Sequence, residues 1–120
     1  MKSNNSKFKG KIYLLVDKSV YSSSESFSIF CKDTNFATII GTTTGGDGGG
    51  SDPVLFALPN SGLIVRMSSN MFLTRNGKCD EEFKTTPDFP VVNCKRTKDF
   101  KGDKCIKKVL ELEGIGINEQ

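Results

Sequence analysis

The chain has 120 residues, 36% of them hydrophobic, and 17 Lys and Arg against 14 Asp and Glu leave a formal charge of +3. That length holds one domain or a piece of one. No apolar run approaches the ~20 residues of a membrane-spanning helix, and the polar start Met1-Lys2-Ser3-Asn4 lacks the apolar core of a secretory leader.

In chain order, Lys11-Ile12-Tyr13-Leu14-Leu15-Val16-Asp17 is a short apolar run without alternation, which predicts a strand covered on both faces, as in a parallel sheet. Ser22-Ser23-Ser24-Glu25 opens a segment in which Phe27, Phe30 and Cys31 recur at i, i+3 and i+4, the spacing of one helix face. Phe36-Ala37-Thr38-Ile39-Ile40-Gly41 reads as a second buried strand, so the first 41 residues predict a compact βαβ unit. Positions 41–50 hold six of the twelve glycines and form a loop.

Val54 to Leu58 and Leu63 to Met67, joined by Pro59-Asn60-Ser61-Gly62, predict an antiparallel hairpin, which Met71-Phe72-Leu73 would extend. Asn76-Gly77 marks a further turn, and Thr86-Pro87-Asp88-Phe89-Pro90-Val91-Val92 is extended because each proline disfavours helix just before it. Ile106, Val109, Leu110 and Leu112 predict a closing helix, with Asp103 as N-cap and Gly114 as its stop. The fold class is α/β, with no internal repeat.

The composition also limits the chemistry. Histidine is absent, so no Ser-His-Asp set, Cys-His pair or His-ligated metal site is completed within these residues. Cys31, Cys79, Cys94 and Cys105 form no CxxC pair, which argues against a zinc ribbon, and free thiols are the expected state. Lys95 to Lys108 is locally basic but carries no interleaved stacking aromatics, so it reads as a solvated face and nucleic acid is not an expected partner.

Ser22 stands where a helix leaves the carboxyl edge of the sheet, with the amides of the following residues facing outward and the helix dipole favouring an oxyanion. Those are the needs of an acyl-transfer nucleophile. The same Ser22-x-x-Glu25 is equally a capping box, and taken alone the tetrapeptide fits capping better. The glycine loop lacks the lysine of a phosphate-binding loop but lets backbone approach a bound peptide closely. Glu81 and Glu82, taken alone, are surface charges.

The order of five motifs is more telling. Gly-Lys-Ile-Tyr-Leu-Leu-Val-Asp, Ser-Ser-Ser-Glu-Ser-Phe, Ala-Thr-Ile-Ile-Gly-Thr-Thr-Thr-Gly-Gly, Leu-Pro-Asn-Ser-Gly-Leu-Ile-Val and Thr-Pro-Asp-Phe-Pro-Val follow one another between Gly10 and Val92. In that succession the chain resembles the carboxyl-terminal-processing and tricorn-core serine peptidases. The resemblance implies a partial crotonase- or Clp-protease-like βαβ core with an antiparallel hairpin and a C-terminal helix. It implies that residues 1–120 form a single domain, the carboxyl-terminal part of a peptidase catalytic domain.

It further implies Ser22 as nucleophile, the Ser23 amide in the oxyanion hole, and Gly45 and Gly46 in oxyanion or substrate binding. In the processing branch a Gly-Lys-Gly supplies a lysine base; here Gly46-Asp47-Gly48 stands in its place, and a carboxylate does not replace an uncharged amine. The tricorn-like branch, which includes retinoid-binding relatives, uses a histidine from an earlier segment, oriented by a glutamate shortly before the Pro-Asp motif. Glu81 occupies that position with Glu82 beside it, although Lys84 and Thr85 stand where the family usually has Gly-Val.

The expected activity is peptide-bond hydrolysis without cofactor or metal, on a peptide or protein substrate. The alternative is a non-catalytic module on the same scaffold that binds a peptide or apolar ligand. A half-domain would leave an apolar face and a strand edge uncovered, so homodimerisation through the exposed sheet surface is a further expectation.

Overall fold

The computed structural model describes residues 8–48, 53–67, 73, 75–79, 82–92 and 102–116. Its centre is a parallel three-stranded sheet in the order β1-β2-β5, formed by β1 (Tyr13–Val16), β2 (Thr38–Gly41) and β5 (Phe89–Pro90). Tyr13 pairs with Thr38 and Val16 with Gly41, while Phe89 and Pro90 pair with Ile40 and Gly41. Gly41 has φ 139°, and a β-carbon there would collide with the Val16 carbonyl oxygen, so only glycine lets the two strand ends approach. Pro90 sits on a strand with one pairing partner among the described residues, where its missing N–H leaves no gap in the ladder.

Helix α1 (Ser23–Thr34) crosses from β1 to β2. It ends at Asn35 in the left-handed conformation, a C-terminal position that asparagine tolerates. Cys31 joins Val16, Ala37 and Ile39 in the core, with Ile12, Leu14 and Val20 packed against it.

The buried face of α1 is not the one its apolar spacing predicts. Glu25, Ser28 and Cys31 are buried, whereas Phe27 and Phe30 are 46% and 47% exposed and cluster on the surface with Phe36. The phenylalanine stripe lies about two positions round the helix from the row that meets the sheet.

β1 also departs from expectation. Among the described residues it pairs only with β2, at the edge of the sheet, and Leu15 is 39% exposed on one of its faces. The continuous apolar pattern fits β2 instead, where Ile39, Ile40 and Gly41 are all buried.

β3 (Val54–Ala57) and β4 (Ile64–Met67) form the expected antiparallel hairpin, in register Val54 to Met67 and Ala57 to Ile64. Its turn is closed by the Leu58 amide donating to the Leu63 carbonyl at 2.8 Å, with Gly62 at φ 70°. Leu73 does not extend this sheet but bridges to Cys79 around the Asn76-Gly77 turn. Met71 and Phe72 lie outside the described residues.

Helix α2 (Lys104–Leu112) begins as expected: Asp103 accepts from the Cys105 and Ile106 amides at 2.8 and 3.2 Å. It ends in a Schellman motif, with Gly114 donating to Glu111 and Ile115 to Leu110, and Gly114 at φ 67°. Lys108 lies 5.6 Å from the ring centre of Phe89, and Glu113 receives both Lys11 at 2.9 Å and the Tyr13 hydroxyl, so α2 is tied to β5 and β1. Among the described residues no helix is long and apolar enough to cross a membrane.

Candidate active site

Ser22 lies at the N-terminus of α1, just beyond the carboxyl end of β1, and is exposed. Its backbone, φ 57° and ψ −133°, falls in a region that residues with a β-carbon rarely adopt. It accepts the Ser26 amide as a helix N-cap does, yet its side chain caps nothing. The Ser23 amide belongs to the first helical turn, whose N–H groups have no intrahelical acceptor.

The glycine loop is tied to this turn by backbone bonds. Ser22 N–H donates to the Gly46 carbonyl at 3.3 Å, and Gly45 N–H donates to the Val20 carbonyl at 2.7 Å. The two segments approach so closely that a β-carbon on Gly45 would stand 2.7 Å from the Lys18 carbonyl oxygen and 3.0 Å from that of Val20. The Gly45 amide is thus engaged by Val20, whereas the Ser23 amide has no intrahelical acceptor. Asp47 is exposed at φ 58°.

Ser22-x-x-Glu25 does not form a capping box. Glu25 turns inward and is fully buried, and its Oε1 accepts the Thr85 amide at 2.9 Å and the Thr85 hydroxyl at 2.6 Å. Thr44, immediately before Gly45, closes the network: its hydroxyl meets the Thr85 amide at 2.7 Å, and its amide donates to the Thr85 carbonyl at 3.1 Å. Ser26 adds a hydroxyl bond to the Gly48 carbonyl. None of these partners is legible from local spacing, because Glu25 and Thr85 are 60 positions apart and Thr44 and Thr85 are 41 apart.

Glu81 lies outside the described residues, as do Gly49 and Gly50. Glu82 is exposed. Further along the same segment, Asp88 accepts the Ile39 amide at 2.8 Å through Oδ2 and pairs with Lys32 of α1 through Oδ1. Burial pushes the Asp88 pKa upward, but the hydrogen bonds from Lys32 and Ile39 and the charge of Lys32 outweigh it, leaving the pKa below its ordinary value. The Pro-Asp motif therefore fastens β5 and α1 to the central strand.

Two open cavities flank the end of β1. One, of about 530 Å³, is lined by Val16, Thr42, Val91 and Asp103; the other, of about 400 Å³, runs between β1 and the first turn of α1 and is lined by Leu14, Val20, Ser23 and Phe27. Cys31 and Cys105 are buried and Cys79 is partly buried, none of them in a disulfide, while Cys94 lies outside the described residues. Burial raises the pKa of Cys31; burial, then Asp103 and Asp17, raise that of Cys105. Among the described residues no group of three His, Cys, Asp or Glu is placed to hold a metal ion.

Ser22 thus stands strained and exposed at a helix N-terminus, its backbone bound to a glycine loop, on the carboxyl edge of a parallel sheet, where ligand sites of α/β folds form. A model of peptidase family S41 matches residues 1–91, and the chain belongs to that family. The structure is similar to that of a provisionally assigned peptidase from Parabacteroides merdae, with 27% identity and a TM-score of 0.65, covering 92% of this chain and 34% of that one. It shares its fold with mature CPAF at 23% identity and a TM-score of 0.55, covering 67% of this chain and 15% of that one. The chain thus spans about a third of the first of these proteins, or less of the second. No curated protein matches it significantly.

Proposed function

We propose that this chain carries the nucleophile-bearing, carboxyl-terminal part of a serine peptidase catalytic domain of the tricorn-like branch, with a crotonase-like core. The observation that carries the reading is Ser22 itself: exposed, held at φ 57° and ψ −133°, with its hydroxyl released from capping. Its Oγ attacks the scissile carbonyl while a histidine from another segment takes the proton. The Ser23 amide stabilises the resulting oxyanion, the C–N bond breaks as the proton passes to the leaving amine, and water then releases the acyl group from Oγ.

Glu81 orients that histidine. Gly45 and Gly46 form the backbone wall of the substrate site, and the groove lined by Leu14, Val20 and Phe27 receives an apolar substrate side chain. The binding-module alternative draws on the same groove and on the absence of histidine from these 120 residues.

A peptide-hydrolysis assay on this chain, on the chain joined to a histidine-bearing segment of its gene product, and on the Ser22→Ala form of the latter tests the reading. Turnover is expected only in the second. Equal turnover in the second and third would remove Ser22 from the mechanism; peptide binding without turnover in any of them would favour the binding module.

A further inference from the structure

Glu25 is a charged side chain with no exposure to solvent, yet only one of its oxygens is satisfied. Oε1 takes both donors of Thr85, and Oε2 has no hydrogen-bond partner among the described residues. A buried carboxylate with an empty acceptor is a poor choice for stability, and such groups call for a functional account.

Glu25 connects three segments that converge beside Ser22. It stands on the first turn of α1, three residues after the serine. Thr85, which it holds, is bonded on both sides of its peptide to Thr44. Thr44 leads directly into Gly45 and Gly46, which bond back to Val20 and Ser22. The loop's far side is also seated on Glu25: a β-carbon on Gly48 would lie 2.9 Å from Glu25 Cγ. A closed circuit therefore runs from the helix through Glu25, Thr85, Thr44 and the loop to the serine backbone.

We propose that Glu25 is a positioning residue for Ser22, acting through Thr85 and Thr44 to hold the glycine loop and thereby fix the serine's strained backbone. The proposal rests on the reading of Ser22 as nucleophile. Thr85 is specific to this circuit: an aliphatic residue in its place would leave the Glu25 carboxylate one donor short. Removing the carboxylate frees the 82–86 segment and the loop together, so the serine, the Ser23 amide and the Gly45–Gly46 wall lose their mutual orientation, while the apolar side chains of Leu14 and Phe27 stay in place.

The test uses the full gene product, with kcat expressed per site titrated by a serine-reactive phosphonate, and amide hydrogen exchange measured at Thr44, Gly45, Thr85 and Ile39. Glu25→Ala should lower kcat per titrated site by about 10²-fold, the scale of a misplaced reacting group. Glu25→Gln keeps an acceptor for Thr85 and should recover most of the loss. Thr85→Val should lower kcat and Thr85→Ser should not.

Exchange at Thr44, Gly45 and Thr85 should quicken in Glu25→Ala while that at Ile39 stays as it was. Unchanged kcat per titrated site in both Glu25→Ala and Thr85→Val, with Ser22→Ala inactive, overturns the proposal. If instead Ser22→Ala is as active as the parent, the nucleophile reading fails, and exchange alone decides whether Glu25 holds the loop; unchanged exchange at the three amides then overturns the circuit as well.

Discussion

Asp88 offers the sharpest test of how the sheet is held together. Its Oδ2 is the acceptor for the amide of fully buried Ile39, while its Oδ1 pairs with Lys32 across a surface where both side chains are about a third exposed. Replacing Asp88 by Ala orphans the Ile39 amide, at a cost of about 1–3 kcal/mol. The ion pair, exposed and screened, adds about 0.2–1 kcal/mol. A total near 2 kcal/mol corresponds to a fall in Tm of roughly 8 °C for a domain of this size. Asp88→Asn keeps an acceptor for Ile39 and loses only the charge, so it should cost about 0.5 kcal/mol.

The pH dependence follows from the direction of the shift. Because the folded carboxyl has a pKa below that of the unfolded chain, the stabilisation is complete above the unfolded value of about 3.9 and disappears as pH falls through the folded value. Urea unfolding at pH 7 and at successively lower pH should show wild type and Asp88→Asn converging below about pH 4. Asp88→Ala should remain less stable throughout, with faster hydrogen exchange at Ile39. An alanine variant within about 0.5 kcal/mol of wild type at pH 7, the range of an ordinary surface change, would refute the role assigned to the Pro-Asp motif.

Other outcomes follow from the same geometry. At Ser22 the positive φ penalises any β-carbon, so Ser22→Gly should be more stable than Ser22→Ala by about 1 kcal/mol in chemical unfolding, and equal stability would mean the backbone there is unstrained. In thiol labelling of the native chain, Cys79 should react ahead of Cys31 and Cys105, whose burial and raised pKa values both suppress the thiolate; rapid modification of Cys31 would contradict its place in the core. Leu55, Leu63 and Ile64 of the hairpin, each at least 65% exposed, together with the edge strand β1, should drive self-association at micromolar concentration, read by sedimentation. A clean monomer at high concentration would count against homodimerisation through the sheet surface.

What was legible in the sequence was local. The runs at 11–17 and 36–41 announced β1 and β2 as strands, and the burial that unbroken apolar character implies is met in β2. Pro59 to Gly62 announced the hairpin because its turn requires those residues, and Asp103 announced α2 because its carboxylate caps the nearest amides. What was not legible depended on distant partners. The apolar spacing of Phe27, Phe30 and Cys31 marked a helix but not its orientation, since the sheet selects Glu25, Ser28 and Cys31 through contacts outside the segment. Asp88 reads as part of an extended segment, and only β2, 49 positions away, reveals it as an acceptor for Ile39.

The tetrapeptide Ser22 to Glu25 shows why local rules give out at this site in particular. A capping box and a nucleophile make incompatible demands on the same hydroxyl: one requires it to accept a helix amide, the other requires it to face solvent with that acceptor unused. The Ser22 side chain caps nothing, and the position of Glu25 accounts for the missing capping box. Drawn inward by the two donors of Thr85, its carboxylate is withdrawn from the Ser22 amide, which turns instead to the Gly46 carbonyl. Forgoing a side-chain cap costs about 1 kcal/mol, and the strained serine backbone costs about 1–3 kcal/mol more. Such departures concentrate where function, not stability, sets the geometry. A cap forgone, a strained φ and a half-satisfied buried carboxylate occur here within four consecutive residues, against one glycine loop.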